Sequence, residues 1–356
     1  MGGKVLIVGA LGTVGRSLID HFEPRTDWDM VALSRRKPDF ATRADWLSLD
    51  LRDPQAVARL SELDGVTHVI YAAVQDQADL VSGWSERDHA DTNLAMLKAV
   101  VDGIEASPSP LRHITLLQGT KAYGGHLGVF RMPARESDER YMPPNFYYDQ
   151  QDFIVERQAG KAWSWTALRP QLVCGTAVGT ETNIVPALGA YAAMSREYGI
   201  PLRYPGGQGR IREVTDARLI AKAAEWAGGS SRAANEVFNI VNGDVYLWEN
   251  VWERLAELFA VPLGQPQPFR LSKVMPGNGG IWDRVVEKHG LERTTYKEIV
   301  PSWQVVDWIL GYGQRPNPHH VSTIKAREFG FHDCIDTEAM FVELLRELQD
   351  RRILPR

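Results

Sequence analysis

Residues 4–15 read Lys-Val-Leu-Ile-Val-Gly-Ala-Leu-Gly-Thr-Val-Gly, and this stretch decides the fold. Its first five residues form a short apolar run typical of a buried strand. The pattern G-x-x-G-x-x-G follows at Gly9, Gly12 and Gly15, and a helical pattern begins at Thr13. In such a turn the glycines allow the backbone to turn sharply and to approach a pyrophosphate, while the free N–H groups of the helix attract the phosphates. The stretch therefore predicts a dinucleotide-binding fold.

Strand and helix patterns continue to alternate through the N-terminal half. Parallel strands need crossover connections, so this alternation predicts an α/β fold: a Rossmann-type doubly wound parallel sheet with a smaller, mostly helical C-terminal region that covers the substrate. The strand patterns after the first are Met30–Leu33, a segment closed by Asp50–Asp53, His68–Ala72, His113–Leu117 and Ser164–Leu168, and the helical patterns between them include Asp91–Ile104 and Asp149–Gln158.

After about residue 175 strand and helix patterns no longer alternate, and longer helical patterns follow. We predict an NADP(H)-binding Rossmann domain over 1–175, and a substrate-binding region over 176–356 that packs on it with some chain crossing back to the sheet. Large apolar residues of that region are either core or the lining of an apolar pocket. The candidates for such a lining are Met275, Trp282, Trp303 and Trp308.

Composition excludes several classes of function. The 356 residues are 44% hydrophobic and 24% charged with a net charge of −5, so no basic field favours nucleic acid or an anionic membrane as a partner. No signal-peptide pattern or long apolar run is present, and we expect a cytoplasmic protein. Cys174 and Cys334 are too few for a disulfide framework or a zinc site, and we predict no metal. A homodimer is possible on these observations.

The end of the second strand indicates which cofactor binds. An NAD-binding protein places an acidic residue there for the ribose hydroxyl, whereas this chain has Ser34-Arg35-Arg36. Guanidinium groups suit a 2′-phosphate, so we predict NADP(H); a solvated basic turn is the other interpretation. The predicted cofactor contacts are Gly9, Leu11, Gly12, Thr13, Val14 and Gly15 in the first turn, Ser34, Arg35 and Arg36, then Asp50 and Leu51 near the adenine, and Ala72 and Ala73 after the fourth strand.

The N-terminal half resembles the extended and atypical short-chain dehydrogenase/reductase superfamily. The resemblance rests on the glycine motif, Asp50-Leu51, Asn93, the strand ending at Leu117 and the turn Leu168-Arg169-Pro170. It implies that Gln118, Tyr148, Leu172 and Val173 also contact the cofactor. Two catalytic features of the superfamily are missing, because Asp152 stands where a lysine should follow Tyr148 and Gly119 stands where a serine or threonine is usual.

Two other motifs resemble the progesterone 5β-reductase/iridoid synthase-like branch of that superfamily. They are Gly119-Thr120-Lys121-Ala122-Tyr123 and Asn145-Phe146-Tyr147-Tyr148. The resemblance implies that Lys121 and the second tyrosine, Tyr148, are the catalytic residues. The chain departs from the branch at Gln151, where glutamate is typical, and in the loop Tyr123-Gly-Gly-His126-Leu-Gly after Lys121, which lacks the bulky apolar residues expected of plant members. These departures leave the identity of the substrate open.

The predicted reaction is NADPH-dependent reduction of an activated C=C bond in a small apolar enone or enal. Hydride addition to a conjugated carbonyl compound places negative charge on its oxygen, which needs hydrogen-bond donors already in place. Tyr148 is the predicted donor, and the charge of Lys121 would lower the pKa of that phenol. Three alternatives use the same fold: a carbonyl reductase, a sugar-nucleotide epimerase or dehydratase, and a non-catalytic NADP(H)-sensing protein.

Overall fold

The computed structural model describes residues 2–75, 86–207, 209–292, 295–313 and 319–356. Its strands, in chain order, are β1 (Gly3–Val8), β2 (Trp28–Ser34), β3 (Asp45–Ser48), β4 (His68–Tyr71), β5 (His113–Leu117), β6 (Ser164–Pro170), β7 (Val173–Cys174), β8 (Ile211–Arg212), β9 (Thr215–Asp216), β10 (Glu236–Ile240) and β11 (Tyr246–Leu247).

The helices vary from single turns to a helix of 20 residues. They are α1 (Thr13–Phe22), α2 (Pro54–Val57), α3 (Arg87–Ala106), α4 (Phe146–Gln158), α5 (Ile184–Glu197), α6 (Ala217–Gly229), α7 (Trp248–Leu258), α8 (Leu271–Val274), α9 (Gly279–His289), α10 (Tyr296–Ile299), α11 (Trp303–Leu310), α12 (Ile324–Glu328) and α13 (Thr337–Asp350). Within the described residues no helix combines the length and the apolar character needed to cross a membrane.

Seven strands form one sheet in the order β10-β6-β5-β4-β1-β2-β3, and each pairing between neighbours is parallel. Both faces of a parallel sheet are covered, so its strands are apolar throughout. The run Val5–Val8 shows this, because all four of its residues are fully buried. The predicted fold class, a Rossmann-type doubly wound parallel sheet with helices, is confirmed.

The chain forms two compact units. The first contains Met1–Gln171, Ala217–Ile240 and Val321–Asp333, and it holds the seven-stranded sheet. The second contains Leu172–Asp216, Val241–His320 and Cys334–Arg356, and it is mostly helical. The assignment of residues 176–356 to substrate binding stays a prediction.

Some element boundaries differ from the prediction. The third strand ends at Ser48, so the predicted segment Asp50–Asp53 lies in the turn after it. Asp53 instead caps α2, because its carboxylate accepts a hydrogen bond of 2.9 Å from the N–H of Gln55. The helix predicted from Asp91 begins at Arg87, and the one predicted from Asp149 begins at Phe146.

The aromatic residues proposed for a pocket in the C-terminal region differ in their burial. Met275, Trp282 and Trp303 are buried and form part of the core of the second unit. Trp308 is 54% exposed and therefore does not belong to that core. Cys174 is fully buried in the same unit, and burial raises the pKa of its thiol, which suits a small packing residue.

Candidate active site

The glycine turn after β1 packs tightly against the backbone of neighbouring strand ends. Gly9 has φ +88°, and a Cβ atom placed on it would lie 2.8 Å from the backbone of Ala72 and Ala73. A Cβ atom on Gly15 would lie 2.2 Å from the carbonyl oxygen of Gly9. Neither position has room for a side chain, so the first turn of α1 is held close to the ends of β1 and β4.

The same turn fits a phosphate group. Gly12 is the N-cap of α1, and no side chain caps the N–H groups of the helix. A Cβ atom on Gly12 would meet only the carbonyl oxygen of Gly9, at 3.4 Å. The Thr13 hydroxyl is buried and has no hydrogen-bond partner among the described residues. Uncapped N–H groups beside an unsatisfied buried hydroxyl are what a pyrophosphate at a helix N-terminus would satisfy. Leu11 and Val14 are half-buried in this turn.

Two exposed guanidinium groups follow β2. The Arg35 side chain donates a hydrogen bond of 3.2 Å to the Gln75 side chain, and the Ser34 hydroxyl donates to the carbonyl oxygen of Arg36. Gln75 is itself fixed by Asn93, which accepts from its N–H at 2.9 Å and donates to its carbonyl oxygen at 3.1 Å. Asn93 thus holds the backbone of Gln75 after β4.

The predicted adenine-side residues lie in the turn after β3. The Asp50 carboxylate accepts hydrogen bonds from the Arg52 guanidinium, and that contact lowers the pKa of Asp50 to about 2. Leu51 is buried in the core of the first unit. The carboxylate of Asp50 is therefore ionised and paired with Arg52.

Asn145 joins the two motifs that suggested the catalytic residues. Its side-chain oxygen caps α4 by accepting from the N–H of Tyr147 at 3.1 Å, and its amide nitrogen donates to the carbonyl oxygen of Lys121 at 2.8 Å. Lys121 lies in a short 3-10 helix over Thr120–Tyr123. Asn145 therefore fixes the turn that contains Lys121 against the start of α4.

The two tyrosines of the second motif have different surroundings. The Tyr148 hydroxyl donates to the carbonyl oxygen of Ala122 at 2.9 Å and accepts from the N–H of Tyr141 at 3.0 Å. The Arg140 guanidinium covers its ring at 4.9 Å and pairs with Asp152, the residue found where the superfamily has its lysine. The Tyr148 phenol therefore holds the backbone of the loop that precedes α4.

The Tyr147 hydroxyl lies instead at the position of the missing catalytic serine or threonine. A Cβ atom placed on Gly119 would be 3.3 Å from the Tyr147 hydroxyl oxygen and 3.5 Å from the carbonyl oxygen of Pro170. Gly119 lies two residues after the end of β5, and Pro170 is the last residue of β6, at the carboxyl edge where Rossmann-type sheets bind their ligands. Both phenols thus lie close to residues at the end of β5 or in the turn after it, Tyr147 near Gly119 and Tyr148 on the carbonyl oxygen of Ala122.

Lys121 is half-buried, and its charge is felt by a neighbouring histidine. The pKa of His126 is lowered, first by burial and then by the ammonium group of Lys121. Both effects favour the neutral form of the His126 imidazole.

The remaining predicted cofactor residues are placed as follows. The Gln118 side chain is buried and bonded to Arg169, to Gln151 and to the backbone of Tyr147. Leu172 and Val173 begin the second unit; Leu172 has φ +36°, and its carbonyl oxygen accepts from the N–H of Thr215 at 3.2 Å. The sequence-based prediction did not include Asn145 or Tyr147, although an asparagine before a helical pattern is a recognisable N-cap signal.

The fold, the glycine turn and the joined lysine and tyrosine motifs define a Rossmann-fold dinucleotide-dependent enzyme. The family model for a PRISE-like Rossmann-fold domain matches residues 47–302. The chain therefore belongs to the PRISE-like Rossmann-fold family, and it is an NADP(H)-dependent oxidoreductase.

Curated relatives are plant enzymes. The chain is 32% identical over 372 residues to an (S)-8-oxocitronellyl enol synthase of Nepeta racemosa, covering 98% of this chain and 92% of that protein. It is 31% identical to an (S)-8-oxocitronellyl enol synthase of Camptotheca acuminata, covering 98% and 93%. The predicted resemblance to the progesterone 5β-reductase/iridoid synthase-like branch is confirmed.

Solved structures of the same fold are more distant in sequence. A UDP-glucose 4-epimerase of Thermotoga maritima superposes with a TM-score of 0.67 at 16% identity, covering 98% of this chain and 99% of that one. RMD of Pseudomonas aeruginosa, solved with NADPH, gives a TM-score of 0.66 at 14% identity, covering 99% of each chain. These similarities show a shared fold.

Proposed function

We propose that this protein reduces activated C=C bonds by 1,4-addition of a hydride to a small apolar enone or enal. The observation that carries the proposal is the bridge made by Asn145, which fixes the Lys121 turn against the backbone of Tyr147. The Tyr148 hydroxyl then bonds at 2.9 Å to the carbonyl oxygen of Ala122, the residue after Lys121. A phenol and an ammonium group are thus offered at the carboxyl edge of the sheet.

NADPH supplies the hydride when it is bound. The residues that would hold it are the glycine turn with Thr13 for the pyrophosphate, and Arg35 with Arg36 for the 2′-phosphate. Ala72 and Ala73 offer backbone with small side chains beside the turn.

The protein residues act on the oxygen of the substrate. The phenol of Tyr148 donates a hydrogen bond to the carbonyl oxygen, and this bond strengthens as the oxygen gains negative charge. Lys121 supplies a positive charge close to that oxygen, which favours the enolate form of the substrate. Tyr148 and Lys121 therefore keep the roles that the sequence motifs suggest.

The names of the plant relatives agree with this chemistry. They are called enol synthases, and an enol is what forms when a hydride adds to a conjugated carbonyl compound and the enolate oxygen is protonated. The substrate proposed for this chain is defined only by its chemistry, as a small apolar molecule with a C=C bond conjugated to a carbonyl group.

A substrate panel tests the proposed reaction. NADPH oxidation would be followed with 2-cyclohexen-1-one, an open-chain enal, the corresponding saturated ketone and a sugar nucleotide, with product analysis in each case. We expect turnover of the enone and the enal, with saturation of the C=C bond, and at least about 100-fold less with the ketone, because hydride addition to a saturated ketone gives an alkoxide and not an enolate. Reduction of the ketone alone, or turnover of the sugar nucleotide without loss of NADPH, would contradict the proposal.

Replacing both Arg35 and Arg36 by serine is expected to remove the preference for NADPH. Charge-assisted hydrogen bonds to a phosphate are each worth about 1.5–3 kcal/mol, so we expect the Kd for NADPH to rise by at least about 100-fold while the Kd for NADH changes little. Cofactor fluorescence would measure both constants. Serine in place of Arg232, an exposed arginine bonded to the backbone of Glu328, is the matched control. An equal loss of affinity for both cofactors would refute the assignment.

A further inference from the structure

The loop that precedes α4 holds the Tyr148 phenol at two places. The N–H of Tyr141 donates to the Tyr148 hydroxyl oxygen at 3.0 Å, and the Arg140 guanidinium lies 4.9 Å from the centre of the Tyr148 ring. A cation within about 6 Å of a ring centre is attracted by the negative face of the ring. Two consecutive residues therefore supply a hydrogen-bond donor and a positive charge to one phenol.

Arg140 is fixed in this place by Asp152. Its two terminal nitrogen atoms donate to the two carboxylate oxygens of Asp152 at 2.8 and 2.7 Å. Asp152 stands one helical turn after Tyr148, so the carboxylate directs the guanidinium onto the side of α4 that carries the phenol. The two side chains are 41% and 64% exposed, and an exposed pair of this kind adds little to the free energy of unfolding. The pair therefore matters more for the orientation of Arg140 than for stability.

Tyr141 also contacts the turn that contains Lys121. Its ring packs closely on Gly124, which ends that turn with φ +73°. A Cβ atom placed on Gly124 would lie 2.8 Å from the Cγ atom of the Tyr141 ring, so only a glycine allows this approach. The segment Arg140-Tyr141 is thus joined on one side to α4 and on the other to the turn that contains Lys121.

The bond from Tyr141 is the one that the phenol can keep during the reaction. A phenol has one proton to donate, and the Tyr148 hydroxyl donates it to the carbonyl oxygen of Ala122 in this structure. Donation to a substrate oxygen exchanges that bond, whereas the bond accepted from Tyr141 is retained. An N–H donor on the phenol oxygen also makes the phenol a stronger donor, since hydrogen bonds in a chain polarise one another.

We propose that Arg140 and Tyr141 are positioning residues that hold the Tyr148 phenol and strengthen it as the donor to the substrate oxygen. The inference deepens the function proposed above and rests on it. Both residues act through Tyr148: Tyr141 by its backbone N–H on the phenol oxygen, and Arg140 by its charge over the ring. Position 152 carries a carboxylate, so the cation over this ring comes from the loop and not from the next turn of the helix.

Position 140 is the place at which to test the role of the charge. Arg140→Met removes the charge and keeps an unbranched side chain over the ring, whereas Arg140→Lys keeps a charge that can reach Asp152. Arg131 provides the matched control. It belongs to the same loop, and it makes an exposed pair with Asp138 at 2.8 Å, as Arg140 does with Asp152.

The steady-state constants of these variants separate positioning from general structural support. We expect Arg140→Met to lower kcat for enone reduction by about 10-fold, with the KM for NADPH within about twofold, since a misplaced reacting group costs this much or more. Arg140→Lys should stay within about threefold of the wild type, and Arg131→Met within about twofold. A wild-type kcat in Arg140→Met, or an equal loss in either Arg140→Lys or Arg131→Met, would overturn the proposal.

Hydrogen exchange at the Tyr141 amide needs no turnover, so it separates this inference from the proposed reaction. We expect Tyr148→Phe, which removes the acceptor, to raise the exchange rate at Tyr141 by at least about 10-fold, and Arg140→Met to raise it by about threefold or more. Arg131→Met should leave the rate within about twofold of the wild type. If the wild-type protein reduces no enone, the proposed reaction fails, while this exchange still decides whether the two residues hold the phenol. Unchanged exchange at Tyr141 in Tyr148→Phe or in Arg140→Met overturns the positioning role.

Discussion

Tyr148→Phe is expected to lower kcat for enone reduction by about 100- to 1,000-fold, while NADPH still binds. Removing one preorganised donor to a developing oxyanion costs this much, and phenylalanine keeps the ring that packs at the start of α4. The Tyr148 hydroxyl bonds to the carbonyl oxygen of Ala122, the residue after Lys121, so its loss removes the proposed donor beside the cationic residue. Steady-state kinetics with 2-cyclohexen-1-one and a cofactor-binding titration would measure the two effects.

Tyr147→Phe is the matched comparison, because the two tyrosines are neighbours and the change is chemically the same. The Tyr147 hydroxyl lies near Gly119 and is not the proposed donor, so we expect kcat to fall by less than about 10-fold. Tyr148→Phe should in addition lose about 1–3 kcal/mol in the free energy of unfolding, because its hydroxyl joins the backbone of Ala122 and Tyr141. A larger fall in kcat for Tyr147→Phe than for Tyr148→Phe would move the catalytic role to Tyr147.

The second large effect is a loss of stability in acid, caused by two histidines at the starts of neighbouring strands. His113 is 2% exposed, and burial followed by the charge of His68 lowers its pKa to about 3. Burial also lowers the pKa of His68, whose ring centre is 6.4 Å from that of His113. Folding therefore keeps both rings neutral. The His113 ring bonds to the Ser164 hydroxyl, and the His68 ring bonds to the carbonyl oxygen of Gly228.

The sign of the effect follows from the lowered pKa. The unfolded chain takes up a proton on each histidine near pH 6.5, whereas the folded chain resists it down to about pH 3 at His113. The two neutral rings therefore make their full contribution to the free energy of unfolding above about pH 6.5, and this contribution falls as the pH drops toward 3. The loss from His113 is about 1.4 kcal/mol for each pH unit within that window, on the order of several kcal/mol in total.

Urea unfolding at several pH values between 7 and 4 would measure this loss. His113→Asn keeps a polar atom near Ser164 but cannot titrate, so its free energy of unfolding should depend less on pH than that of the wild type. Asparagine in place of the exposed His332 should leave the wild-type pH dependence. The same slope in wild type and His113→Asn would show that other groups cause the loss.

The sequence alone was sufficient for the fold class and for the two motifs of the site. Gly9, Gly12 and Gly15 directly after an apolar run admit few structures other than a phosphate-binding turn, because their conformations and close approaches are local. Arg35 and Arg36 could also be predicted to contact a 2′-phosphate, because they stand at the end of the second strand. The sequence analysis did not predict strand β10. The chain passes through the second unit between β6 and β10, so β10 does not belong to the regular alternation of strands and helices.

Only the tertiary structure shows how the two motifs are joined. Successive residues of an α-helix point about 100° apart, and the sequence does not state which direction the first turn of α4 presents to the sheet. That direction is set by contacts that are distant in sequence: Asn145 with the Lys121 turn, and Gln118 with Arg169 of the adjacent strand. Local residues determined the two motifs, and the packing of strand ends against a helix determined that the Tyr148 hydroxyl bonds to Ala122, beside Lys121, while the Tyr147 hydroxyl lies near Gly119.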